Sequence, residues 1–183
     1  MNKSDINQPP SYFDRYINYV EDIELASAFK QSLAEIDDLD LAELREIGNS
    51  VYAPGKWTTR DIFQHLIDVE HILAYRALRI ARHDQTPLPG FDEAQLAMNA
   101  GAEKRSLEAL VFELKAARFA TYLLFESLDN EALQRSMIIS DNQMSALAFG
   151  FAIVGHQKHH LKIIQEKYWP LIERQDQTSL AHQ

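Results

Sequence analysis

The chain has 183 residues, 46% of them hydrophobic and 25% charged, which suits a globular protein with one sizeable core. It has no cysteine, which excludes disulfides, thiolate metal sites and a protein thiol nucleophile and fits a cytoplasmic chain. A formal net charge of −9 argues against nucleic acid as a partner. No run approaches the roughly 20 apolar residues of a membrane span, and the polar opening MNKSDINQPP gives no expectation of a secretory signal.

Apolar residues recur at helical spacing almost throughout. After Pro9-Pro10-Ser11 come Phe13, Tyr16, Ile17 and Val20, then Leu25, Ala26, Phe29, Leu33 and Ile36 in a second phase. The pattern predicts one long helix, kinked between Glu21 and Glu24. Residues 37–56 read as an acidic, turn-like stretch that Ala53-Pro54-Gly55 closes. Thr58 or Thr59 is placed to cap a second helix, with Asp61 in its first turn. The stripe of that helix is Ile62, Leu66, Val69, Leu73 and Ile80, and it runs to about His83.

Residues 84–101 hold Pro87, Pro89 and Gly90 and read as a connection with one short helix at 92–98. A third helix is expected over 102–128, with Leu107, Leu110, Val111, Leu114, Phe125 and Leu128 inward. Residues 129–143 read as a loop in which Met137-Ile138-Ile139 has no evident partner strand. Ser145 caps the last helix, which Pro170 ends after Tyr168. A single domain over 1–170 and a polar, disordered tail over 171–183 follow.

Four long helices predict an all-α four-helix bundle. The connection between the second and third helices is longer than an antiparallel hairpin requires. It can cross the bundle and set those two helices parallel, in the order up-down-down-up.

Seven histidines are present, and helical arithmetic sorts them. At about 100° per residue, His65 falls on the inward stripe of the second helix, whereas His71 lies about 120° away. His156 and His160 stack about 6 Å apart on one face of the last helix, with His159 about 60° round toward its edge. His83 sits at a helix end and His182 in the tail. His65 lies near the start of its helix and His160 near the end of an antiparallel one, so the three imidazoles converge at one end of the bundle. Three merely structural histidines would each need a separate buried partner. A divalent transition metal is the better account, zinc or nickel ahead of iron, manganese or copper, with coordination positions left open. The spacing His156-Gln157-Lys158-His159-His160 resembles that of zincin proteases, but Gln157 stands where their glutamate base would be, so that reading is rejected.

Other residues carry weaker expectations. Asp68, one turn after His65, is a weak catalytic candidate, as an acceptor that orients an imidazole or as a base; a solvated surface carboxylate is the alternative. Glu70 and His71 face away from the stripe and are expected at the surface. Trp57 is expected to pack at the helix start ahead of walling a pocket mouth, and Phe13, Tyr16 and Tyr19 to make core or dimer contacts ahead of stacking on a substrate. Arg76 returns to within about 20° of the His65 face roughly 16 Å further along, so Asp92 or Glu93 is expected to pair with it.

Two motifs carry a resemblance across roughly residues 12–168. Gly55-Lys56-Trp57-Thr58-Thr59-Arg60-Asp61 followed by Gln64-His65-Leu66-Ile67-Asp68, and Gly155-His156-Gln157-Lys158-His159-His160, resemble the DinB/YfiT-like superfamily of metal-binding four-helix bundles. The resemblance implies the up-down-down-up bundle, the ligands His65, His156 and His160, and frequent dimers, hence a homodimer. It implies a metal-dependent enzyme acting on a small molecule, either a hydrolase that activates water or a transferase that activates a low-molecular-weight thiol. The alternative is a non-catalytic metal- or ligand-binding bundle, or an interaction protein.

Overall fold

Residues 1–8, 10–139 and 141–172 are described by the structure, a computed structural model. The first apolar segment divides into α1 (Asp14–Ile17) and α2 (Leu25–Asp37), where the spacing predicts one kinked helix. The N-terminus causes the break. Leu25 N–H donates to the Met1 carbonyl, Asn2 bridges Glu24 in antiparallel fashion, and Lys3 Nζ donates to the Val20 carbonyl. Backbone groups so used cannot continue a helix.

Side-chain caps start most of the later helices. Asp40 accepts from Ala42 and Glu43 N–H to open α3 (Leu41–Ile47), a helix within the stretch read as turn-like. Leu44 and Ile47 on α3 are buried, which supplies the packing a helix this short needs. Thr58 and Asp61 form a reciprocal capping box at the start of α4 (Thr59–Ala81). Asp92, Ser106 and Asp129 cap α5 (Glu93–Asn99), α6 (Leu107–Glu126) and α7 (Asn130–Gln134). Met137 and its neighbours do find a partner. Strand β1 (Ser136–Ile139) pairs antiparallel with β2 (Asn142–Ser145), with Met137 opposite Met144.

Ser145 caps α8 (Ala146–Ile163), which widens into a π segment over Ile164–Tyr168. The helix does not stop at Pro170 but stays helical to residue 172. Trp169 N–H reaches back to the Ile164 carbonyl across the wider turn, its indole N–H donates to Glu43, and Leu171 and Ile172 pack on the core. That spacing moves carbonyls away from the proline ring. The polar tail expected from Glu173 lies outside the described residues.

Two apolar clusters give the directions of the four long helices. Leu25 and Phe29 of α2, Ala77 and Ile80 of α4, Phe125 of α6 and Phe149 of α8 share one cluster. Ile36, Ile62, Leu107 and Ile164 share the other. The starts of α2 and α8 therefore lie with the ends of α4 and α6, which is the up-down-down-up order. Residues 82–106 cross the bundle between the parallel α4 and α6. Among the described residues, no helix is long and apolar enough to cross a membrane.

A polar layer separates the clusters. Arg118 of α6, 1% exposed, makes a forked pair with Glu70 of α4 at 2.7–3.1 Å. Its remaining N–H groups reach Ser32 Oγ of α2 at 2.8 Å and the Ile153 carbonyl of α8 at 3.4 Å. Glu70 is thus buried, against the expectation that it faces solvent. Helix α4 packs on α8 and on α6, so it hides two faces, and a stripe read on one helix shows only the first. Glu70→Ala should destabilise the protein by about 3–5 kcal/mol by stranding a buried guanidinium, while the double replacement Glu70→Leu with Arg118→Met should recover most of the loss. Denaturant unfolding of the single and double variants checks this.

Candidate metal centre

The second turn of α4 carries His65, and the latter half of α8 carries His156 and His160. Their Nε2 atoms meet: His65 and His156 are 3.0 Å apart, and His156 and His160 3.1 Å. All three residues are 5–8% exposed, and their candidate ligand atoms lie within 4.8 Å of one another.

Aromatic rings enclose the trio. Tyr16 of α1 meets the His156 ring edge-on at 4.9 Å, and Trp57 lies 4.7 Å from His65 and stacks on His160 at 6.4 Å. Tyr168 donates its hydroxyl to the Trp57 carbonyl and anchors that wall. A glycine makes the Tyr16 contact feasible. A Cβ at position 155 would sit 1.9 Å from the Tyr16 carbonyl oxygen, so only glycine lets α1 lie against α8 beside His156. Tyr16 and Trp57 are therefore walls of the site, roles that the sequence reading ranked behind packing.

Burial keeps the imidazoles neutral. Desolvation first, then the nearby His159, lowers His65 to about 4, and desolvation with His65 and His159 lowers His160 to about 3. His156 is also held well below its usual range, by burial first and then by its histidine neighbours and Arg118.

These residues fit a divalent metal. Three neutral nitrogens point at one another with two contacts among them, and neutral imidazoles cannot all satisfy each other there, whereas one cation would satisfy all three. Ligand nitrogens about 2.1 Å from a common centre are about 3.0 Å apart at a right angle and about 3.4 Å at the tetrahedral angle. The observed 3.0 and 3.1 Å match the spacing of nitrogens that share one metal. Among the described residues, the buried Nδ1 of His160 has no hydrogen-bond partner.

Other candidates lie apart. Asp68 accepts from Gln64 at 2.9 Å, and Gln64 in turn accepts from Arg105 at 2.7 Å, a polar chain leading to Glu113 on α6. His159 faces the Tyr19 hydroxyl at 3.3 Å. His71 and His83 are exposed, and His182 lies outside the described residues. Arg76 is buried as expected, but neither Asp92 nor Glu93 pairs with it. It donates to the Pro89 carbonyl at 2.8 Å and lies over the Phe91 ring at 5.0 Å, because Asp92 is committed to capping α5.

Two cavities of about 280 Å³ flank the trio. One is walled by Tyr16, Leu73, Arg76, Phe91, Glu93 and His156 among others, the second by Lys56, Trp57, His160 and Tyr168 among others. Sequence spacing contains no sign of either.

The model of the DinB superfamily matches residues 24–164, a span that holds all three histidines. The chain belongs to the DinB superfamily. Among solved structures, this DinB-superfamily chain is similar in fold to YfiT from Bacillus subtilis, described as "a probable metal-dependent hydrolase with an unusual four-helix bundle topology". The two share 18% identity at a TM-score of 0.61, over 89% of this chain and 86% of that one. No curated protein matches it.

The lowered pKa values have a sign. The unfolded chain takes up protons on these histidines near about 6.5, the folded chain only near about 4 for His65 and about 3 for His160. Their contribution to the stability of metal-free protein is thus complete above about 6.5 and declines as pH falls toward the folded values. Thermal melts of chelator-treated protein should fall between pH 6.5 and 5, above the range where most carboxylates titrate, and His65→Phe should flatten that slope. A flat wild-type profile would contradict the burial of neutral imidazoles.

Proposed function

We propose that this chain is a metal-dependent hydrolase of a small molecule, with one divalent metal held by His65, His156 and His160. The observation that carries the reading is the convergence of three buried, neutral Nε2 atoms beside an aromatic-walled cavity. The description of YfiT as a probable metal-dependent hydrolase supports it. When bound, a divalent ion with open positions supplies Lewis acidity and lowers the pKa of a water or of a low-molecular-weight thiol. The cysteine-free chain would take such a thiol as a cosubstrate, giving a transferase instead. Zinc or nickel suits an all-imidazole donor set, and the composition suits a cytoplasmic setting.

The chain's own residues would do the rest. Burial keeps the imidazole lone pairs free of protons at neutral pH. Tyr16 and Trp57 cover faces of the trio, which lowers the local polarity and strengthens electrostatic interactions within it. Glu93 lines the His156 cavity and is the carboxylate better placed than Asp68 to accept a proton there. Open cavities on both sides favour chemistry over a closed structural site.

Elemental analysis tests the assignment. Purified protein should carry about one metal per chain, His156→Ala should lose nearly all of it, and His71→Ala should keep it. Chelation should abolish ester or amide hydrolysis and lower the melting temperature while preserving the helical circular dichroism. Full occupancy in the His156 variant would refute the site.

A homodimer is the second part of the proposal. Phe112, Phe119 and Leu123 are 51–76% exposed and follow one face of α6, an apolar stripe suited to a second copy. Light scattering should give twice the chain mass for wild type and the single mass for Phe119→Asp; a monomeric wild type would end this idea.

A further inference from the structure

Among the described residues, the cation that lines the cavity beside His156 has no acidic partner. Arg76 is 5% exposed, yet the acceptor for its guanidinium among the described residues is one backbone carbonyl, that of Pro89. The Phe91 ring face completes its surroundings. The other buried arginine, Arg118, is matched by Glu70, and even the half-buried Arg79 and Arg105 are matched by Asp84 and Glu113. A guanidinium removed from water with only a carbonyl and a ring is under-compensated. Burial accordingly pulls Arg76 below the ordinary arginine range, with no acidic group opposing the shift.

Its position links it to the histidines. His65, Val69, Leu73 and Arg76 follow one stripe of α4, and Val69 and Leu73 line the cavity between Arg76 and His156. We propose that Arg76 is the anion-binding end of the substrate pocket, and that the substrate is a small monocarboxylate with an apolar body. Its carboxylate pairs with Arg76 while its other end reaches the histidines.

The chemistry narrows the ligand class. A planar guanidinium presents paired donors that match a carboxylate. One buried cation balances one negative charge, so a dianionic phosphate would leave a charge uncompensated. Glu93 in the same wall disfavours a second anionic group. Phe13, Tyr16 and Leu73 supply apolar contact for the body of the ligand. A volume of about 280 Å³ is the liquid share of about nine waters, which suits a molecule of about ten non-hydrogen atoms. Only the role of the far end rests on reading the histidines as a metal site; carboxylate binding at Arg76 does not.

The test uses phenylacetate, its neutral isostere phenylacetamide, and phenyl phosphate. Each is titrated into wild type, Arg76→Lys and Arg76→Gln, in chelator-treated and zinc-loaded protein. Wild type should prefer phenylacetate to phenylacetamide by tenfold or more in both forms. Arg76→Lys should keep a preference, and Arg76→Gln, which removes the charge, should lose it. In wild type the Arg76 Nε–H resonance should move with phenylacetate and stay with phenylacetamide, a readout that survives if a variant fails to fold. Several results would overturn the proposal: no binding of phenylacetate, a preference that vanishes on chelation, an unmoved Arg76 resonance, or tighter binding of phenyl phosphate. Protein that retains no metal but keeps the preference would remove the hydrolase reading and leave the anion site standing.

Discussion

One guanidinium touches all four long helices. Arg118 rises from α6, forks onto Glu70 of α4, and donates to Ser32 of α2 and to a carbonyl of α8. A buried charge tolerates few alternative arrangements, because any rotation that breaks one of these bonds leaves a charge or a donor stranded. The apolar residues above and below it could pack in several registers at similar cost, whereas this layer admits few. It therefore sets the rotation of α4 against α8 and hence the meeting of His65 with His156. Its positive charge also contributes to keeping His156 neutral.

Close backbone approach supplies the second constraint. Helix α8 is apolar over most of its surface and is covered on several sides, including by the short α1. Two glycines make room for that cover. Gly150 accommodates the Leu25 and Phe125 side chains, and Gly155 accommodates the Tyr16 backbone. The glycine immediately before His156 is thus part of the site, since it lets Tyr16 close over the imidazole.

Topology and pocket are connected as well. Parallel α4 and α6 require the chain to cross the bundle, and the crossing segment does more than connect. Pro89 and Phe91 hold Arg76, and Phe91 and Glu93 wall the cavity beside His156. An antiparallel hairpin of two or three residues could not supply those groups.

The four long helices and the metal-ligand candidates were legible in the sequence because they depend on local periodicity, and the helix order because it depends on the length of one connection. Residues four apart on a helix share a face whatever surrounds it, so His156 and His160 are paired by spacing, and His65 is turned inward by its apolar neighbours. Caps such as Thr58 with Asp61 are equally local. Asp40 before Leu41, Leu44 and Ile47 was a readable signal for α3 that the acidic context obscured. The remainder depended on other chains of contact. Glu70 reads as exposed until α6 is known to cover a second face of α4. Arg76 reads as a partner for Asp92 until that carboxylate is seen capping α5. The break after α1 depends on the N-terminus taking backbone bonds about twenty residues away, and passage beyond Pro170 on a π turn and a packed Trp169. The sequence by itself determined which side chains share a helix face, since the helical repeat is intrinsic to the backbone. Which faces meet, what covers the histidines and what is left unpaired in the cavity were decided by tertiary structure, because burial and pairing involve groups from several helices at once.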